Sequence, residues 1–215
     1  EAERRGITTD EDYKSADICF ICTPEEAASD AAYKTCELTR DRYTPIIIRS
    51  SVPPGTTERL SRELNCILWH NPEFLREATS EQDILWAKYA IFGETSDYLL
   101  PYTLIHAYVD MGVEIISCTS TESELVKLFT NTYLATLISI WNENKLLCDT
   151  LGVNSHKIAR LVTLDERVSK YGAYMHGAPY GGRCLPKDVE QVLKMVHEMR
   201  QVPVLLEAVQ KVNQF

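Results

Sequence analysis

Ala16-Asp17-Ile18-Cys19-Phe20-Ile21-Cys22-Thr23-Pro24 and, further on, Thr44-Pro45-Ile46-Ile47-Ile48-Arg49 are continuous apolar runs that stop at a proline or a charge. Runs of this length without apolar/polar alternation mark strands covered on both faces. The stretch 25–42 between them has helical composition. Strand, helix and second buried strand make a β–α–β unit, which predicts an α/β fold on a parallel sheet. Cys66-Ile67-Leu68-Trp69-His70, Tyr89-Ala90-Ile91-Phe92-Gly93 and Val113-Glu114-Ile115-Ile116-Ser117 read as further strands, and 58–64 and 97–110 as helices. The sheet domain is expected to end near 118.

From Thr121 the period changes. Thr121-x-x-Glu124 has the form of a capping box, and Leu125, Phe129, Leu134, Leu137, Ile138 and Trp141 recur at helical spacing, predicting one long helix over 121–151. Lys127 and Asn131 fall at i,i+4 on it, so an ammonium and a carboxamide share a face with apolar neighbours. Helices are expected at 155–163, from 187 or 188 to about 200, and over 203–215, giving an all-helical second domain over 119–215.

The chain has 215 residues, 45% hydrophobic content and a net charge of −9 with a pI near 5.1. No run of lysine or arginine forms a basic stripe, which argues against nucleic acid and anionic membrane as partners. No apolar stretch approaches a membrane span and the first residues carry no signal-like segment, so the chain reads as a soluble, cytoplasmic protein. Cysteines at 19, 22, 36, 66, 118, 148 and 184 form no tight framework, which predicts free thiols. Cys19 and Cys22, three apart on a strand, point to opposite faces, and no second pair completes a metal site.

Three segments carry the residues of chemistry. Ser50-Ser51-Val52-Pro53-Pro54-Gly55-Thr56-Thr57 leaves a strand where ligands of parallel sheets collect, and its threonines also suit a plain helix cap. Asn71-Pro72-Glu73-Phe74-Leu75-Arg76-Glu77 follows the next strand and sets two carboxylates four residues apart, a costly pairing on a helix unless a ligand or cation separates them. Gly177-Ala178-Pro179-Tyr180-Gly181-Gly182-Arg183-Cys184-Leu185-Pro186-Lys187-Asp188 places one thiol between a glycine pair and a cation–anion pair. Lys187, three residues on, favours a reactive thiolate at Cys184.

Taken together with Ala16–Pro24 and Glu124-x-x-Lys127-x-x-x-Asn131, these segments resemble, in order and over residues 16–212, the UDP-glucose/GDP-mannose dehydrogenases. The resemblance implies a partial Rossmann-like sheet domain followed by a helical central domain, and oxidation of the C6 alcohol of a nucleotide sugar to a carboxylate with NAD. It implies Cys184 as nucleophile, Lys127 as oxyanion stabiliser, Asn131 and Asp188 as orienting groups, and Glu73 as base with the Ser51 hydroxyl nearby. Thr23, Pro24, Ser50, Ser51, Val52, Glu77 and Lys187 match the cofactor site. Glu73, Phe74, Leu75, Arg76, Glu77, Lys127, Asn131, Tyr180, Gly181 and Gly182 match the sugar-nucleotide site. No metal is implied, and the helix over 121–151 is expected to build a homodimer.

Ser51 stands where the family usually has threonine, and Arg183 fills a variable position. The family's opening Gly-x-Gly-x-x-Gly turn has no counterpart, since no Gly-x-Gly occurs in these residues. The family's C-terminal nucleotide-binding domain is likewise unmatched. The chain therefore reads as the middle of such an enzyme, with UDP-glucose expected ahead of GDP-mannose, and by itself it is expected not to turn over. Two other readings are an inactive relic kept as a dimerisation or binding module, and a cysteine hydrolase using His176.

Overall fold

Ile46, Ile47 and Ile48 form strand β2 with all three side chains buried, and the sheet is organised around them. The computed structural model describes residues 16–39, 44–75, 82–83, 86–95 and 99–214. They fall into two compact units, Glu1–Lys127 and Leu128–Phe215.

The first unit holds a sheet of order β1-β2-β3-β4-β5, with β1 Cys19–Ile21, β3 Leu68–His70, β4 Tyr89–Glu94 and β5 Glu114–Thr119. β1, β2 and β3 are mutually parallel, as the β–α–β reading required. β4 runs antiparallel to β3, through Trp69 opposite Glu94 and His70 opposite Gly93, and β5 is parallel to β4. The sheet is thus mostly parallel rather than wholly so. β1 also departs from a fully buried strand: Ile21 is buried, but Phe20 is 44% exposed.

Strand alternation sends neighbouring side chains to opposite faces. Ile21, Ile46, Ile48 and Leu68 face helix α1 (Glu25–Thr39), through Ala28, Ala32 and Cys36, and helix α2 (Thr56–Leu64), through Leu60 and Leu64. Ile47, Trp69 and Phe92 form the other face with Leu100 and with Leu104 of helix α3 (Tyr102–Asp110). A disulfide joins Cys36 to Cys66, correcting the expectation of free thiols throughout. Cys36 completes the buried i,i+4,i+8 row of α1, and Cys66 follows the left-handed Asn65 that ends α2. A separation of 30 residues leaves no spacing signature for that pairing.

The long helix α4, Ser120–Thr150, is present, but its capping box is not the expected one. Thr119 and Glu122 exchange the bonds: the Glu122 carboxylate accepts from the Thr119 N–H at 2.8 Å, and the Glu122 N–H donates back to the Thr119 hydroxyl at 3.2 Å. Glu124 is taken up elsewhere in the unit, as described below. The boundary between the two compact units lies inside α4, after Lys127. Gly93 shows how close the start of α4 comes to the sheet, since a Cβ there would stand 2.6 Å from the Ser123 Cβ.

The second unit contains the rest of α4 with α5 Ser155–Val162, α6 Lys170–Met175, α7 Cys184–Glu198 and α8 Val204–Val212. The all-helical expectation holds, with α6 an addition. Ala135 and Ile138 of α4, Tyr180, Val189 and Leu193 of α7, and Val209 of α8 form one core, and Trp141, Ala159 and Ala173 another. Phe129, read from its spacing as part of the apolar stripe, is 56% exposed, and its neighbour Leu128 is buried instead. No helix among the described residues is long and apolar enough to cross a membrane.

α6 packs on α4 with no room for a side chain at Gly172, where a Cβ would lie 2.2 Å from the Leu137 carbonyl oxygen. Backbone cannot yield as a flexible side chain can. Gly172→Ala is expected to destabilise the protein by about 2–3 kcal/mol or more, as overpacking does. Thermal or urea unfolding should show a clear drop against Gly152→Ala, where a Cβ meets nothing within 4 Å and the cost is confined to the positive φ of 67°.

Candidate active site

In the first unit the ends of β1, β2 and β3 bring Thr23, Ser50 and Glu73 to the carboxyl edge of the parallel strands. The Ser50 hydroxyl donates to the Thr23 carbonyl at 2.6 Å, tying the first two loops together. The Thr23 hydroxyl is itself buried without a partner. Pro24 is exposed, directly ahead of α1, and Ser51 is half-buried. The Val52 side chain is 2% exposed and belongs to the core beneath α1 and α2. Arg76 and Glu77 lie outside the described residues.

The first turns of α4 hold these loops. The Lys127 ammonium donates to the Glu73 carbonyl and stands 5.4 Å from the centre of the Phe74 ring. Lys127 is 5% exposed, so this is a buried cation satisfied by a carbonyl and a π-face. Glu73, Phe74 and Leu75 are half-buried. Glu124 accepts from the Gly55 N–H at 2.5 Å, the Thr57 N–H at 2.8 Å and the Thr57 hydroxyl at 2.6 Å. The threonines were expected to cap α2 themselves, but α2 follows a left-handed Gly55 with no side-chain cap of its own, and Glu124 supplies the anion at its N-terminus. Burial pushes the Glu124 carboxyl up, against the lowering effect of those bonds.

Ser123 completes this grip. Its hydroxyl lies 2.8 Å from Nδ1 of His70, and the His70 Nε2–H donates to the Ser50 carbonyl at 3.3 Å. Sequence reasoning passed over His70, whose signal was a polar ring closing an otherwise apolar strand. Burial, with the Lys127 charge adding and the Ser50 carbonyl opposing, lowers its pKa from 6.5 to about 4. The ring is therefore a neutral strut at physiological pH.

In the second unit Cys184 is exposed and is the first residue of α7, with Pro186 in the first turn where its missing N–H costs nothing. One turn on, Asp188 is fully buried. Its Oδ2 accepts from the Asn131 amide at 2.5 Å, and the Lys187 ammonium lies 2.7 Å from Oδ1 in an ion pair off the line of a hydrogen bond. Lys187 is thus turned to Asp188. Tyr180 is buried, Gly181 and Gly182 are exposed, and Gly182 has a φ of +74° that favours glycine. His176 makes no cysteine–histidine pair: its Nδ1–H donates to the Ala173 carbonyl at 2.7 Å and its Nε2 accepts from Ser155 at 3.0 Å.

Residues 121–215 match the model of the UDP-glucose/GDP-mannose dehydrogenase family, central domain. Over these residues the chain belongs to this family. It is 28% identical to a UDP-glucose 6-dehydrogenase of Rickettsia typhi over 99% of this chain and 53% of that protein. It is 35% identical to one of Campylobacter jejuni over 69% and 38%. A solved UDP-glucose dehydrogenase from Pyrobaculum islandicum superposes with a TM-score of 0.90 at 26% identity, covering 99% of this chain and 55% of that one. The UDP-D-ManNAc dehydrogenase of Pyrococcus horikoshii gives 0.82 at 27%, covering 96% and 52%. The chain spans about half the length of these dehydrogenases.

The His70 environment has a pH signature. A histidine whose folded pKa lies below its unfolded value adds full stability above pH 6.5 and loses it as pH falls toward 4, here on the order of 3 kcal/mol. Melting temperature should therefore fall more steeply between pH 6.5 and 4 in the unaltered protein than in His70→Gln. Parallel profiles would show that the ring is not held neutral.

Proposed function

We propose that this chain carries the catalytic residues of an NAD-dependent nucleotide-sugar 6-dehydrogenase acting on UDP-glucose. The observation that carries the reading is the start of α7, where an exposed thiol at Cys184 stands one turn before a fully buried Asp188 held by Asn131 and Lys187. Residues four apart on a helix share a face, so the exposed thiol stands one helical turn from that carboxylate. A buried charge with two polar partners is costly to maintain for packing alone.

On this reading the Cys184 thiolate adds to the C6 aldehyde of the half-oxidised sugar, making a carbon–sulfur bond. Loss of hydride from that carbon leaves a thioester, and water cleaves it to the carboxylate and the free thiol. NAD supplies the two hydride-accepting steps. Lys127 stabilises the oxyanion, Asn131 and Asp188 orient the reacting groups and water, and Glu73, with Ser51, takes the water proton. The fit for NAD rests on Thr23, whose unpartnered hydroxyl and neighbouring Ser50 and Ser51 sit at strand ends of the parallel sheet. UDP-glucose is favoured over GDP-mannose because several related proteins carry that name. A cytoplasmic location goes with both ligands, and the Cys36–Cys66 disulfide is the observation that runs against it.

Among the free thiols, those of Cys19, Cys22 and Cys118 are pushed up by the protein around them, with Glu73 adding at Cys22 against Arg49. Limiting iodoacetamide at pH 7.5 followed by peptide mapping should label Cys184 first, and first labelling at Cys19, Cys22 or Cys148 would overturn its assignment. The chain by itself is expected not to turn over, and any NADH formed at 340 nm should reach two per UDP-glucose and vanish in Cys184→Ala. One NADH per sugar, or turnover that survives the substitution, would refute the four-electron mechanism.

Homodimerisation through α4 is part of the proposal. Phe129, Tyr133, Ile140, Leu147 and Leu151 are each more than half exposed and repeat along one side of the helix and its end. Light scattering at micromolar concentration should give a dimer mass, and Ile140→Arg should halve it with circular dichroism unchanged.

A further inference from the structure

Two asparagines outside the proposed chemistry grip the main chain of the cysteine loop. The Gly177 N–H donates to Asn142 Oδ1 at 2.7 Å while Asn142 Nδ2 donates to the Ala178 carbonyl at 2.8 Å. The Tyr180 N–H donates to Asn213 Oδ1 at 2.6 Å while Asn213 Nδ2 donates to the Tyr180 carbonyl at 3.0 Å. Each carboxamide spends its donor and its acceptor on backbone, as a neighbouring strand would. An aspartate has no donor for the carbonyl, and a glutamine is one methylene too long to close the same ring.

The clips bracket the part of the loop that must keep its shape. Gly177, at φ +108°, and Gly182, at φ +74°, adopt left-handed backbone on either side of the Tyr180 clip. Between them the Tyr180 side chain is buried against Val189, Leu193 and Val209. Only Gly181, Gly182 and Arg183 separate Tyr180 from the thiol-bearing Cys184. Asn142 belongs to α4, and Asn213 caps the C-terminal end of α8. The loop's coordinates are thus taken from two helices that lie outside the loop and outside α7.

We propose that Asn142 and Asn213 are positioning residues that set where the Tyr180–Gly182 main chain and Cys184 stand, Asn213 acting on the thiol-proximal side and Asn142 on the entry. This rests on the reading of Cys184 as the nucleophile and adds a cause for its placement. Asn213 ties that placement to the end of α8, so a displacement of α8 becomes a displacement of the loop.

The test uses the whole chain with Asn213→Asp, Asn213→Leu, Asn142→Asp and Asn142→Leu, and with Asn144→Ala as a control, exposed on the same helix. Hydrogen exchange should rise tenfold or more in peptides covering 178–184 in the Asn213 variants and 176–180 in the Asn142 variants. Peptides from α5 should stay at the unaltered rate. The ratio of iodoacetamide labelling at Cys184 to that at Cys22, in the other unit, should shift at least threefold in Asn213→Asp and stay put in the control. Exchange that rises evenly along the chain, or a labelling ratio that stays put in Asn213→Asp, overturns the positioning role. If Cys184 is not the fastest thiol in the unaltered chain, the functional reading fails instead, and the exchange data still decide whether the clips hold the loop.

Discussion

Glu124 is the group on which the architecture of the first unit turns. A carboxylate 1% exposed is expensive to bury, and the protein meets the expense by giving it the N–H groups of Gly55 and Thr57 and the Thr57 hydroxyl. Those donors are the open N-terminus of α2, which lacks a side-chain cap of its own. One bond set thus satisfies a helix end and a buried charge together. It also fixes the rotation of the first turns of α4, and that rotation sends Ser123 to His70 and Lys127 to Glu73. Three positions in the first turns of one helix hold the start of α2, the end of β3 and the loop after β3.

The second unit repeats the principle with Asp188. Its carboxylate is sealed from water and held by one amide and one ammonium, so its place is determined by α4 and by its own helix. In both units the polar residues tied to the proposed chemistry double as connectors between elements. Replacing one of them therefore disturbs position as well as chemistry, and a lost rate alone cannot separate the two effects. Local probes such as exchange and alkylation can.

Strand content and the helical second unit were legible because Ile46–Ile48 and the long α4 pattern are dominated by apolar period. The same reading misplaced the capping box by two residues, since Thr119/Glu122 and Thr121/Glu124 have the same form and only tertiary demand on Glu124 distinguishes them. Val52 was matched to the cofactor site by resemblance alone, and no local pattern marks that its side chain turns inward to the core. The antiparallel β4 was hidden because a short apolar strand carries no sign of its direction. His70, Asn142 and Asn213 were invisible for a different reason: each acts through partners at least 20 residues away or through main chain, which no local spacing records.

The Cys36–Cys66 bond gives the first unit a covalent dependence that the second lacks. It closes a ring of 30 residues containing β2 and α2, a constraint of roughly 3–4 kcal/mol on the unfolded chain in the loop-entropy account. Reductants added to protect the exposed Cys184 would therefore loosen the sheet unit selectively. They would also release two further thiols, one of them from the interior. Storage chemistry chosen for one half of this protein is a perturbant of the other.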